Sequence, residues 1–350
     1  MKLPLFWIKL TNFEYWTWYI FYLPLLPYFV YLAIKHRSLT MFTAANPAIF
    51  LGGLFGESKN EIFKLIPQQY LPKTVFFPQN TSINKIIETI ESIENQGFKF
   101  PFILKPDIGE RGNGVEKMNN LQDVFRYFGV ENGVDKSAKN IEVAMLLQEY
   151  VDFEMELGVF YYRKPNENTG IVSSIVGKEF LQVQGNGSNT IKELLEQNDR
   201  ARFQLAVLTQ KWGTKLDEIL ANGEVWLIEP IGNHCRGTKF VNCNYLINKQ
   251  LHEIFDKISK QIEGFYYGRF DIRVKSLEDL YAGTNIRIME LNGVSSEPGH
   301  IYHPNYSLLK AYKELAQHWG IASEISTQNI ANGKVQEHSA WEVWQAYQKH

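Results

Sequence analysis

Cysteine is nearly absent: Cys235 and Cys243 are the only two in 350 residues, too few for a disulfide framework or a cysteine-based zinc site. The expectation is a reducing compartment with free thiols, the cytoplasm. Neither sign of charge dominates. The 36 Lys and Arg nearly balance 38 Asp and Glu, giving a formal charge of −2, so there is no basic footprint for a nucleic acid. No repeat of 20–50 residues and no low-complexity tract occurs, which removes solenoids and propellers. No nucleophile–His–Asp pattern stands out. His300 and His303 could orient a substrate but read better as packing or surface histidines. A secretory signal is also missing, because the apolar N-terminal stretch starts late, is long and aromatic, and lacks a nearby small-residue cleavage site. What remains is an ordinary globular balance of 45% hydrophobic and 21% charged residues. That excludes a largely disordered chain and a polytopic membrane protein, and the length suits about two domains.

The aromatic residues are unevenly placed. From Tyr15 to Ile34 there are 20 residues without a charge, nine of them aromatic, about the length a bilayer-spanning helix requires. Pro24 and Pro27 sit in its middle, which predicts a broken or hairpin-like segment over Phe13 to Arg37. Tyr15, Trp16, Trp18 and Tyr19 cluster at one end, Tyr28 and Tyr31 near the other, and Lys2, Lys9, Lys35, His36 and Arg37 flank the stretch, a distribution suited to headgroup depth. The expectation is a membrane-dipping hairpin. The competing reading is a buried aromatic hairpin packed on the body of the protein or on a partner chain. A Gly-rich connector, Ala44 to Lys59, follows, with turns at Asn46-Pro47 and Gly52-Gly53.

Beyond it, strands and helices are mixed, predicting an α+β fold. Ile83, Ile86, Ile87, Ile90 and Ile93 recur at helical spacing before Gly97, as do Leu251, Ile254, Phe255, Ile258 and Ile262 before Gly264. Strands are expected at Phe100–Lys105, within Glu142–Val151, at Val172–Gly177, Glu179–Val183, Tyr266–Val274 and Asn285–Asn292, with a capping box at Thr190 and Glu193.

Two groups of residues carry chemistry. Lys105 ends an apolar strand and precedes Gly109, Arg111, Gly112 and Gly114; glycines admit close approach of backbone N–H groups to an anion, and the lysine adds charge, which suits nucleotide phosphates. A glycine-rich hairpin with a solvated lysine is the bland alternative. Downstream, Arg269, Asp271 and Arg273 alternate along one strand, and Glu290 and Asn292 along the next. Two carboxylates and a carboxamide form an oxygen-only ligand set suited to Mg2+ carrying ATP phosphates, and an arginine beside them can stabilise a developing oxyanion or acyl phosphate. Cross-strand ion pairing on an exposed face is the competing explanation.

The segments ILKPDIGERGNGV, LLQEYV, EMELGVFYY, GRFDIRV and IMELNGVSSEPG occur in this order, between about Glu57 and Pro304. They resemble the ATP-grasp superfamily of carboxylate–amine ligases, most like D-alanine–D-alanine ligase and its relatives. LQVQGNGSNTIKELL and NHCRGTKF resemble segments of cyanophycin-synthetase-like and glutamate-ligase-like members. The resemblance implies an ATP-grasp fold, two α+β subdomains gripping ATP, preceded here by the aromatic hairpin. The expected divisions are 1–45 hairpin, 46–75 connector, 76–150 small subdomain with the glycine loop, 151–320 large subdomain with the metal site, and 321–350 a C-terminal amphipathic helix.

The resemblance further implies phosphate-binding roles for Lys59, Lys105 and the glycine loop, and an adenine-holding hinge at Gln148, Glu149, Tyr150 and Val151, with Glu156 on the ribose. It implies Mg2+ ligands (Mn2+ the alternative ion) in Asp271, Glu290 and Asn292, Arg269 facing the reaction intermediates, and Arg236 near the transferred phosphate. Cys235 reads as structural. The implied reaction is amide formation between a carboxylate and an amine through an acyl phosphate, with ATP consumed to ADP. Only 58 residues precede Lys59, so the substrate-side domain usual in such ligases is missing or replaced, and no particular amino acid carries over. The expected acceptors are small-molecule or lipid-linked, at the inner face of the cell membrane, and an oligomer is compatible. The rival functions are a nucleotide-binding regulatory protein without catalysis and an ATP-grasp phosphotransferase.

Overall fold

The computed structural model describes residues 3–95, 97–109, 112–130 and 139–349. Among these residues eleven strands run in chain order: β1 Thr74–Phe77, β2 Phe102–Pro106, β3 Glu116–Met118, β4 Met145–Glu149, β5 Met155–Tyr162, β6 Ile171–Glu179, β7 Leu181–Gln184, β8 Val225–Glu229, β9 Lys239–Asn242, β10 Tyr267–Val274 and β11 Ile286–Asn292. They build three antiparallel sheets, ordered β1-β4-β2-β3, β11-β10-β5-β6-β9 and β7-β8. With the helices packed on them this is the α+β architecture expected.

Each sheet has its own core. The Ile83, Ile86, Ile87 and Ile90 face of the helix Ile83–Asn95 closes on Phe102, Leu104 and Leu147 of the four-stranded sheet. The Leu251, Phe255, Ile258 and Ile262 face of the helix Lys249–Lys260 closes on Val159, Phe270 and Ile272 of the five-stranded sheet. The β7-β8 ribbon packs on helices Ile191–Gln197 and Asp199–Trp212 through Leu195, Leu208 and Ile228. The capping box at Thr190 and Glu193 is formed, each side chain bonding the other's backbone N–H.

Two expectations are corrected. The N-terminal segment does not fold back within Tyr15–Ile34: a short helix, Leu5–Thr11, and a turn at Phe13–Tyr15 lead into one continuous helical run, Trp18–His36. The prolines are absorbed because Leu23–Leu25 tightens to a 3-10 turn, and Pro24 and Pro27 each fall in the first turn of a new segment, where the missing N–H has no partner to lose. Phe21, Leu25 and Leu32 are buried on one side of the run, while Trp18, Leu23, Val30 and Ile34 are exposed on the other. The division at 320 falls inside a single 24-residue helix, Leu308–Ala331, whose Leu315, Ala322 and Ile325 are buried. A second helix, Ala340–Lys349, follows.

Candidate functional site

The site forms where the four-stranded and five-stranded sheets meet at β11. Lys105 lies within β2 and is buried; its Nζ donates to Gln148 Oε1 at 3.0 Å and to the carbonyl of Met289 at 3.2 Å. Lys59, at the start of the helix Lys59–Leu65, donates to the carbonyls of Gly109 at 2.7 Å and Asp107 at 3.3 Å, and lies 3.9 Å from Glu290 Oε1. Two lysines far apart in the chain thus converge beside Glu290. Burial pushes Lys105 down to about 8, partly opposed by Glu290 and reinforced by Lys59. Gln148 is a support for Lys105, its amide passing on to Thr74 Oγ1 at 3.2 Å.

Across β10 and β11, Asp271 pairs in register with Glu290, and Arg269 with Asn292. Arg269 grips Asp271 with two bonds, of 2.7 and 3.3 Å, and Lys178 reaches the same carboxylate at 3.3 Å. Burial alone would raise the Asp271 carboxyl, but Arg269 and Lys178 hold it down to about 2. Lys178 also contacts Glu156 at 3.1 Å, and Arg273 takes the other Glu156 oxygen at 2.9 Å. Glu156 therefore serves as counter-ion to two buried cations, one at each carboxylate oxygen. Burial works against the Lys178 charge, yet Asp271 and Glu156 keep its pKa above the ordinary lysine value.

Glu149 accepts from the backbone N–H of Lys73 at 3.1 Å, the Tyr150 ring lies between Lys117 at 3.7 Å and Arg273 at 5.0 Å, and the Val151 carbonyl accepts from Arg273 at 2.6 Å. In the glycine loop, the Gly114 carbonyl accepts from the Tyr127 hydroxyl at 2.9 Å. Gly112 has φ +71°, and a Cβ there would lie 3.3 Å from Asn233 and 3.5 Å from Arg236, so the loop crosses the Asn233–Arg236 segment. Arg236 is 3.5 Å from buried Glu229, whose other oxygen takes Lys211 at 3.0 Å. Arg111 lies outside the described residues. His300 bonds Ser174 at 2.7 Å, and burial pushes it down to about 4; His303 accepts from the Asn242 N–H at 3.2 Å. Both are packing histidines here. Cys235 is exposed, its N–H bonded to Asn233 Oδ1.

Three contributors escaped the sequence reading. Lys178 sits at the end of an apolar strand, and only the pairing of β5 with β6, which sets it across from Glu156, shows its role. A cavity of about 480 Å³ opens beside it, with Arg200 and Lys239 also in its wall. Glu297 is held by the hydroxyls of Tyr22 and Tyr302, while its backbone carbonyl accepts from Arg269 at 3.4 Å. Through Tyr22 the N-terminal helix reaches the neighbourhood of Arg269. Asn46 bonds both Gly52 and Tyr267 carbonyls through Nδ2, at 2.9 and 2.8 Å, and accepts from Tyr266 and Tyr267 N–H through Oδ1. Gly52 and Gly53 then accept from Val294 and Ser295, and a Cβ at Gly53 would lie 2.5 Å from Gly293 Cα. The connector is thereby locked to the loop after β11.

No known family description and no curated protein matches this chain. Among solved structures it is similar to D-alanine–D-alanine ligase from Bacillus anthracis, at 14% identity, covering 77% of this chain and 67% of that one, with a TM-score of 0.39. It is similar to VanG D-Ala:D-Ser ligase from Enterococcus faecalis, at 14% identity, covering 77% and 61%, with a TM-score of 0.41. It is also similar to a bifunctional glutathione synthetase from Pasteurella multocida, at 14% identity, covering 73% of this chain and 35% of that protein, with a TM-score of 0.33. The chain thus spans about a third of the synthetase and about two thirds of the ligases. At this identity and overlap the likeness carries no part of the functional reading.

Proposed function

We propose that this chain is an ATP- and Mg2+-dependent ligase that joins a carboxylate to an amine through an acyl phosphate, on a membrane-linked acceptor. The observation that carries the reading is the convergence of Lys59 on Glu290 and of Lys105 on the neighbouring Met289 carbonyl, next to the Arg269–Asp271–Lys178 cluster. Cations drawn from separate elements onto one strand suit a polyphosphate, whose charge they offset.

The donor set fits a hard cation. Glu290 is partly exposed with a long contact to Lys59, Asn292 pairs across from Arg269 and can offer its carboxamide oxygen while its buried, unpartnered Nδ2 is left to donate to an acceptor such as a phosphate oxygen, and Asp271 adds a carboxylate already screened by Arg269 and Lys178. Asp271, Glu290 and Asn292 would hold Mg2+, which when bound neutralises charge on the phosphates. The chain's own groups do the rest. Lys59 and Lys105 draw the terminal phosphate toward β11, and Arg269, its guanidinium fixed by Asp271, stabilises the oxyanion formed when an amine attacks. The glycine loop over Arg236 excludes water that would hydrolyse the acyl phosphate.

The membrane placement is supported by the exposed side of the helix Trp18–His36, which carries Trp18, Leu23, Val30 and Ile34. Its neighbouring basic side chains Lys9, Lys35 and Arg37 are exposed, and Glu14, the only acid before Glu57, turns inward to Arg200 and His234. An ATP-using body places this face on the cytoplasmic side.

The test is incubation with ATP, Mg2+ and membrane extract in the presence of hydroxylamine. ADP release with hydroxamate formation is expected. ADP release with a phosphorylated product and no hydroxamate would make the protein a phosphotransferase, and ATP binding without turnover would make it a regulatory module.

A further inference from the structure

The chain returns to its own N-terminal segment after the helix Leu308–Ala331. His36 Nδ1 and Thr327 Oγ1 are 2.9 Å apart, Ser38 bonds Glu337, and the His338 N–H donates to Thr43 Oγ1 at 2.9 Å. The rings of Phe50 and His338 meet at 5.9 Å, and those of Phe55 and Tyr347 at 6.0 Å. The helix Ala340–Lys349 is thus tethered beside the end of the apolar helix Trp18–His36.

This last helix is purposefully started and poorly covered. Ser339 and Glu342 cap it reciprocally, with bonds of 2.7 and 3.2 Å. Yet Trp341, Trp344 and Tyr347, three residues apart and so on one side, are 65%, 50% and 60% exposed. Ten residues are too few to hold a helix in water without a surface to pack on. The adjoining residues are of the same character: Ile34, Leu39 and Phe50 are exposed, and an apolar groove of about 310 Å³ runs along Val30, Ala33, Ile34 and Leu39.

We propose that the helix Ala340–Lys349 is a second lipid-contacting element, which joins the N-terminal helix in one face that rests on an anionic bilayer. The inference depends on the membrane placement proposed above and extends it to the opposite end of the chain. Two features select a lipid surface as the occupant. The exposed side chains mix Trp and Tyr with aliphatics, the composition of the headgroup boundary. Exposed Lys35 and Arg37 stand next to the Ser38–Glu337 contact and complement anionic headgroups.

The experiment is flotation of the full chain with vesicles of phosphatidylcholine and phosphatidylglycerol at 3:1, and with phosphatidylcholine alone. Trp341→Ser combined with Trp344→Ser should lower partition onto the mixed vesicles by about tenfold or more, since two large apolar side chains are removed from the contact. Leu23→Ser combined with Ile34→Ser should lower it too, and ATP binding should survive in both pairs as the check on folding. If the C-terminal pair floats like the unaltered chain while the N-terminal pair does not, the second element is overturned and the membrane placement stands. If the C-terminal pair converts a dimer to a monomer without changing flotation, that helix serves self-association and the inference is equally overturned. If the unaltered chain floats with neither vesicle, the membrane placement itself falls.

Discussion

Asp271 illustrates how a side chain read from sequence as a metal ligand is also a structural counter-ion. It balances Arg269 and Lys178 in a buried setting, so Asp271→Asn should abolish turnover and also cost about 3 kcal/mol of stability, because buried cations lose their partner. Chemical denaturation of the variant measures it. Glu290 is partly exposed and, among the described residues, its ion pair is a long one, to Lys59 at 3.9 Å, so Glu290→Gln should lose turnover with stability changed by less than about 1 kcal/mol. A stability loss equal in the two variants would refute this division of labour. Lys105 supplies a pH prediction. Its folded pKa of about 8 lies below the ordinary 10.5, so its burial penalises folding below about 8, and stability from this group rises between about 8 and 10.5, where the unfolded chain holds a proton the folded chain has released. Nucleotide affinity runs the other way. ATP titrations at about pH 7 and about pH 9 should show weaker binding at the higher pH, and Lys105→Met should bind weakly at both. The alternation of Arg269, Asp271 and Arg273 and the glycine loop were legible because each follows from local spacing. Lys178, Glu297 and Asn46 were not, since their partners lie 93, 275 and 221 residues away along the chain.

At the scale of elements, strands and amphipathic helices were legible wherever one side packs on a core, as in Ile83–Asn95 and β10. β1, only four residues long and half-covered, has too little pattern to be seen. In the N-terminal helix the prolines mark the break expected of them, a 3-10 turn at Leu23–Leu25, but the chain does not turn back there, because each proline begins a new turn. Two attachments hold that region. Glu14 meets Arg200 at 2.6 Å and His234 at 3.1 Å. Burial raises the Glu14 carboxyl, but His234 and Arg200 bring it below the ordinary value. Its contribution is therefore complete above about 4.5 and fades as pH falls through the folded pKa. Limited proteolysis should find cleavage before residue 37 appearing in acid, and at neutral pH in Glu14→Ala. Asn46 is the second attachment. All four of its bonds are buried, so Asn46→Ala should cost at least about 3 kcal/mol by leaving paired groups orphaned, read as a lowered denaturation midpoint.

For the whole molecule, the mixed α+β class was readable from the order of its segments, whereas the way the two chain ends meet was not, because no periodicity encodes the Ser38–Glu337 or Phe55–Tyr347 contacts. The helix Trp18–His36 keeps Phe21, Leu25 and Leu32 against the protein. Crossing a bilayer would demand hydrocarbon on every side of it, so in the proposed placement this docked helix of about 28 Å would lie along the bilayer surface. Bound in the proposed way, it wedges apart the headgroups of one leaflet and leaves the other untouched. A one-sided wedge strains a flat bilayer and relieves a convex one, so the chain should collect on small, highly curved vesicles in preference to large ones at equal lipid.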